Sequence, residues 1–272
     1  MANIEPNELP VDKSKNIFDL SGQVAIITGG GTGIGRATAL VLTDYGARAV
    51  VLASRKAENL ESVAAEVRAR GGEPLVVVTD VRKPEDCQNL IDRTMQEYGQ
   101  IDILVNNAGG SHSYPLDSWT LDGWANMIDL NLRSVFLLSQ AAANHMIPRG
   151  RGNIVNISSG AGQLGLPYVA PYGAAKAGVN NLTLTFAGAL GPHGIRVNCV
   201  AVGAVASEGF VREMQRIGRD PDDVGGRSNA IGRAGRPDEI AFPILFLVSE
   251  AASFLSGETI YVGGGPHVPR ML

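Results

Sequence analysis

The chain has 272 residues, 44% of them hydrophobic and 18% charged, a length and composition that suit one large α/β domain and exclude a disordered chain. Twenty-three basic against 27 acidic residues leave a net charge of −4 with no basic block, which makes nucleic acid a poor partner. Two cysteines, Cys87 and Cys199, exclude a disulfide framework, and the four scattered histidines carry no metal-ligand spacing.

Residues 1–19 carry Glu5, Glu8 and Asp12 and lack the apolar core of a leader, so they read as an extension. No apolar run approaches the 18 or so residues that cross a bilayer, and a cytoplasmic protein is expected. The first strand, Val24–Ile27, is continuously apolar, as strands buried on both faces of a parallel sheet are. It runs through Thr28-Gly29-Gly30-Gly31-Thr32-Gly33-Ile34-Gly35 into a helix expected over Gly33–Tyr45. Glycines between a strand and a helix allow a tight turn and the close approach of a pyrophosphate, while the helix N-terminus offers free amides. Glycine is in excess throughout, at 34 residues, and here the excess has a purpose.

The second strand, Ala49–Ala53, ends in Ser54-Arg55-Lys56. A fold that binds the ribose 2′-hydroxyl places a carboxylate near this point. Arg55 could grip a 2′-phosphate and Ser54 donate to it, so NADP(H) is expected over NAD(H). Helices over Ala57–Arg70 and Glu85–Tyr98 alternate with strands Leu75–Val78 and Ile101–Val105, and one helix is expected over Leu121–Met146. Strand Asn153–Ile157, helix Tyr172–Leu190 and strand Ile195–Val200 follow. Gly203 to Arg236 reads as a long insertion, with Glu208–Arg233 an aperiodic lid loop, before helix Asp238–Ser249 and strand Thr259–Val262. Such alternation implies a single doubly wound parallel sheet of about seven strands flanked by helices, with ligands at the carboxyl ends of the strands.

Tyr172 and Lys176 stand four apart, so a helix brings them to one face. A nearby ammonium, together with the positive charge of an oxidised nicotinamide, favours the phenolate, and a phenol of lowered pKa can give a proton to a carbonyl oxygen or take one from an alcohol.

With Thr28, Gly29, Gly33 and Gly35 spaced Thr-Gly-x-x-x-Gly-x-Gly, Asp80-Val81 after the third strand, Asn106-Asn107-Ala108-Gly109 after the fourth and Tyr172-x-x-x-Lys176, the sequence from about Leu20 to Gly265 resembles the short-chain dehydrogenase/reductase family. The resemblance implies a Rossmann fold and a cofactor held by Gly29, Thr32, Gly33, Ile34, Ser54, Arg55, Asp80, Val81, Asn107, Ala108, Gly109, Tyr172 and Lys176. It implies that Lys176 also holds the nicotinamide ribose and that Asn131 holds a water in a proton relay. The family's serine lies 13 residues before its tyrosine, which selects Ser159 over Ser158, and a hydroxyl there can meet the developing negative charge.

The family's Pro-Gly-x-x-x-Thr stands here as Val202-Gly203-Ala204-Val205-Ala206-Ser207, with Gly203, Val205 and Ser207 expected at the nicotinamide. Its Val-Asp-Gly-Gly stands as Val262-Gly263-Gly264-Gly265, without the carboxylate. Ile231–Glu239 resembles 3-oxoacyl reductases, and the glycine loop paired with Ala53-Ser54-Arg55-Lys56 resembles peroxisomal enoyl-CoA reductases. The expected activity is ketone–alcohol interconversion with NADP(H), with an enoyl-thioester reductase or a non-catalytic NADP(H) sensor as alternatives. A homotetramer is implied, with Asp238–Ser249 and Thr259–Gly265 at its contacts.

Overall fold

The computed structural model describes residues 16–265, so most of the expected extension and the tail 266–272 lie outside the described residues. Seven strands form one parallel sheet in the order β3-β2-β1-β4-β5-β6-β7: β1 (Val24–Thr28), β2 (Ala49–Ser54), β3 (Glu73–Val78), β4 (Ile103–Asn106), β5 (Gly152–Ser159), β6 (Ile195–Val202) and β7 (Thr259–Val262). The order reverses between β1 and β4, which opens a crevice at the carboxyl edge of the sheet.

The unbroken apolar runs are explained by burial on both sides. Along β1, Ala25 and Ile27 join a core with α1 (Gly33–Asp44), α2 (Ala57–Ala69) and α9 (Asp238–Val248). Val24 and Ile26 join the opposite core, with α3 (Pro84–Tyr98), α5 (Ser134–Met146) and the end of α6 (Ala170–Leu190). Each fully buried aliphatic side chain contributes about 1.5–3 kcal/mol, so two such faces supply the fold's main support. At the amino edge of the sheet, buried Asp102 accepts from the Val24 amide at 2.9 Å and pairs with Arg149 at 2.7 Å. Phe18, just before the first strand, packs on the core and meets Tyr45 edge-on.

Two elements differ from expectation. The helix expected over Leu121–Met146 is α4 (Leu121–Ile128) and α5, joined by one π turn over Asp129–Arg133. A π turn inserts one residue, which a 3.6-residue pattern does not register. Trp124, in α4, is 44% exposed.

The stretch expected as an aperiodic loop instead holds two helices, α7 (Glu208–Arg216) and α8 (Pro221–Arg227). Ser207 caps α7 by accepting from the Phe210 amide, and Asp220 caps α8 ahead of Pro221. Among the described residues no helix is long and apolar enough to cross a membrane.

Candidate active site

The glycine turn after β1 is built for close contact. Gly29 has φ +67°, and a Cβ there would lie 2.7 Å from the Asn107 Nδ2. A Cβ on Gly35 would lie 2.2 Å from the Gly29 carbonyl oxygen, so only glycine lets the first turn of α1 fold back on the strand end. Thr32 caps this helix without accepting a side-chain bond, and its first turn holds no acidic residue. The amides after Gly33 and Ile34 are thus available to anionic oxygens.

Asn107 donates to the Thr28 carbonyl at 2.8 Å, while the Thr28 hydroxyl accepts from the Asn107 and Ala108 amides at 3.0 and 2.9 Å. The two crevice walls are therefore sewn together by the Asn-Asn-Ala-Gly stretch. Its first residue, Asn106, lies below the site and joins Ser139 and Asn156 at 2.9 Å each.

Ser54 and Arg55 end β2 beside this turn, where the Gly29 amide donates to the Ala53 carbonyl at 2.7 Å. Arg55 is exposed, and among the described residues no carboxylate forms an ion pair with it. Asp80 is close enough to feel its charge, but that carboxylate is engaged by Arg82 through the side chain and amide. The Arg82 pairing holds the Asp80 pKa at about 2, and Val81 beside it is buried. This surround fits a dinucleotide with a phosphate on its adenosine ribose: free amides at the turn and an uncommitted guanidinium at the end of the second strand.

At the end of β5 the Ser159 hydroxyl accepts from the Ala161 amide at 3.2 Å and lies near enough to the Tyr172 phenol to act on its pKa. Ser158 is turned elsewhere, its hydroxyl donating to the Lys176 carbonyl at 3.0 Å, so the structure separates the two serines. The Lys176 Nζ lies 5.6 Å from the centre of the Tyr172 ring and donates to the Ile157 carbonyl at 2.8 Å. The expected lowering of the phenol's pKa needs the charge of the oxidised nicotinamide as well as this ammonium, and the chain's own groups do not supply it alone. Burial raises the Tyr172 pKa, and the neighbouring Ser159 hydroxyl opposes the rise. Lys176 sits over the ring rather than at the hydroxyl, and burial draws its own pKa down to about 8.

Asn131 lies in the π turn and is fully buried. Its carboxamide accepts from the Gly110 amide at 3.1 Å and donates to the Gly110 and Met127 carbonyls at 3.0 Å each. A Cβ on Gly109 would lie 2.8 Å from the Asn131 Oδ1 and 3.3 Å from the Lys176 Nζ. Asn131 and Lys176 thus flank one glycine.

The loop after β6 closes over the crevice. Ser207 Cβ lies 3.0 Å from where a Cβ on Gly33 would be, Gly203 packs on the Gly263 backbone, and buried Val205 bridges to Gly235. The Ser207 hydroxyl is the cap of α7.

Three features escaped the sequence reading. A Cβ on Gly263 would fall 2.3 Å from the Tyr261 ring, which also lies 3.3 Å from a Cβ built on Gly160, the residue after Ser159. The space of the family's missing carboxylate is therefore filled by an aromatic ring. A Cβ on Gly162 would come 2.7 Å from the Lys176 backbone, so the turn from Ser159 is pressed directly on α6. Finally, Glu213 and Arg216 reach the segment after Gly109, a contact over 100 residues that local patterns do not carry.

A family model described as short chain dehydrogenase matches residues 23–216. The 3-oxoacyl-[acyl-carrier-protein] reductase of Synechocystis is 38% identical over 247 residues, covering 90% of this chain and 97% of that one. Among solved structures, a short-chain type dehydrogenase/reductase from Mycobacterium marinum superposes with a TM-score of 0.87 at 36% identity, over 93% of this chain and 98% of the other. A gluconate 5-dehydrogenase from Burkholderia cenocepacia, solved with NADP and tartrate, superposes with a TM-score of 0.84 at 36% identity, over 91% and 96%.

Proposed function

The chain belongs to the short-chain dehydrogenase/reductase family, and from that membership we propose that it interconverts a ketone and a secondary alcohol with NADP(H), using Tyr172 as acid and base. The observation that carries the assignment is the Ser159 hydroxyl acting on the Tyr172 phenol with Lys176 over the ring. In the reductive direction the Tyr172 phenol gives its proton to the carbonyl oxygen, and Ser159 donates to the same oxygen as negative charge develops. The bound nicotinamide supplies the hydride and, once oxidised, a positive charge at the site.

Lys176, with a pKa of about 8, is charged at neutral pH and offsets the phenolate that proton transfer leaves. Asn131 fixes the backbone at Gly110 and, with Lys176, borders the route by which the proton is replaced from solvent. Gly29, Thr32, Gly33 and Ile34 hold the pyrophosphate, Ser54 and Arg55 the 2′-phosphate, and Asp80 and Val81 the adenine. Asn107, Ala108, Gly109, Gly203, Val205 and Ser207 border the nicotinamide half, and Lys176 holds its ribose.

The similarity to a 3-oxoacyl reductase supports a 3-oxoacyl-type substrate. Initial rates on a panel of simple ketones, 3-oxoacyl thioesters and 2-enoyl thioesters, each with NADPH and NADH, test this. The expected result is NADPH-dependent reduction of 3-oxo compounds; turnover confined to 2-enoyl thioesters, or to NADH, would contradict it. We also propose a homotetramer in the cytoplasm, its contacts on α9 and β7, where Phe242 and Tyr261 are exposed by 48% and 42%. Sedimentation as four copies of the 28.5 kDa chain supports it, and a monomer contradicts it.

A further inference from the structure

Three segments border the substrate's side of the crevice: residues 110–119 after β4, residues 160–169 between Ser159 and Tyr172, and the lid helix α7 after β6. Hydrogen bonds tie them in a row. The Ser113 amide donates to the Glu213 Oε1 at 2.8 Å, and the Ser113 carbonyl accepts from the Arg216 Nη2 at 3.0 Å. Both polar groups of one loop residue are therefore taken by two side chains one turn apart on α7. Those side chains are locked to each other, the Arg216 Nε and Nη2 donating to the two Glu213 oxygens at 2.8 Å each.

The next loop residue extends the tie. The Arg216 guanidinium lies 5.0 Å from the centre of the Tyr114 ring, and that ring packs edge-on against Trp119 at 5.2 Å. The Tyr114 amide donates to the Tyr168 carbonyl at 2.9 Å. Among the described residues Tyr168 is the one non-glycine with a positive φ, +71°. Such a conformation costs about 1–3 kcal/mol and persists where its surroundings over-determine it. Tyr168 stands four residues before Tyr172, at the entry to α6.

The base of the lid is held on the cofactor's side, by Ser207 against Gly33 and by the Ala206 amide on the Gly235 carbonyl at 2.9 Å. The far end of α7 is held by Ser113. We propose that Glu213 and Arg216 are positioning residues: their clasp on Ser113 sets the lid helix across the substrate mouth and, through Tyr114 and Tyr168, fixes the turn that delivers Tyr172. The catalytic part of this rests on the ketone–alcohol reading, whereas the clasp itself does not.

The Glu213 carboxyl is 12% exposed, and its bonds to Arg216 hold its pKa at about 2, so the clasp keeps its charge through any working pH. Removing it loses three hydrogen bonds to ionised groups and leaves Arg216 without its partner.

The test compares wild type with Glu213→Ala, Glu213→Gln and Arg216→Lys, all as the full chain. Steady-state kinetics with the best carbonyl of the panel are run beside NADPH affinity by fluorescence and trypsin cleavage of the lid at Arg212 and Arg219. For Glu213→Ala we expect a rise of about tenfold or more in KM for the carbonyl, a fall in kcat of about three- to tenfold as Tyr172 loses its support, NADPH affinity within threefold, and at least tenfold faster cleavage. Glu213→Gln keeps an acceptor for the Ser113 amide and recovers part of both effects, as does Arg216→Lys.

Carbonyl KM and cleavage both within twofold of wild type in Glu213→Ala would overturn the proposal. So would equal losses in kcat, KM and NADPH affinity accompanied by a lowered melting temperature, the mark of a merely structural pair. If no carbonyl is turned over by wild type, the ketone–alcohol reading fails, and the cleavage rates alone decide the clasp.

Discussion

Lys176 is an ammonium held where water does not reach, 3% exposed, with the Ile157 carbonyl as its acceptor. Burial lowers its pKa from 10.5 to about 8, and this has a sign that can be followed. Below pH 8 both folded and unfolded chains carry the proton, and the fold bears the whole cost of burying the charge. Between about 8 and 10.5 the unfolded chain still binds a proton that the folded chain has released, so stability rises with pH; above 10.5 the cost is gone. Lys176→Met is therefore expected to be more stable than wild type at pH 7, by about 1–3 kcal/mol, and inactive, with the gain shrinking as pH climbs through this window. Melting temperatures of both proteins from pH 6 to about 10.5 check it, and a gain that stays constant across the range would count against a buried charge. The cost is borne because an ammonium beside the phenol is what the proposed proton transfer uses.

At the scale of elements, the ends of strands decide the site. β5 ends in Ser159 and Gly160, and β7 lays Tyr261 over Gly160 in the space left by Gly263. Restoring the family's acid by Gly263→Asp would drive a Cβ to within 2.3 Å of that ring. The expected cost is about 1–3 kcal/mol, read as a lower melting temperature, and Tyr261→Ala in the same chain should relieve most of it. Full additivity of the two losses would show that the ring and the glycine are not coupled.

The glycine turn and the Tyr172–Lys176 pair were legible because each is local: a strand, a turn and a helix, or two positions one turn apart on a helix. The π turn around Asn131 was not, because inserting one residue leaves the apolar pattern of Leu121–Met146 unbroken. The lid helices were legible in their caps, Ser207 and Asp220-Pro221, but the glycines and mixed charges around them read as loop. The contact of Ser113 with Glu213 had no local sign at all, since only the folded sheet brings the segments after β4 and β6 together.

For the whole molecule, the alternation of apolar runs and helices was enough to place seven strands and the crevice, because a parallel sheet covered on both faces leaves few other arrangements. The order β3-β2-β1-β4-β5-β6-β7 then sets the glycine turn, Arg55, Asn107, Ser159 and Ser207 along a single edge, although 178 positions separate Gly29 from Ser207, because the seven strands among the described residues all run parallel. That edge joins a nucleotide site to a phenol, a hydroxyl and an ammonium, which is the central claim. Its most direct test is the rate of carbonyl-dependent NADPH oxidation by Tyr172→Phe beside wild type, on the best ketone of the panel and with NADPH binding measured on both. The account predicts a fall in kcat of about 10²–10⁴-fold with NADPH affinity unchanged; a Phe variant that turns over at the wild-type rate would contradict it.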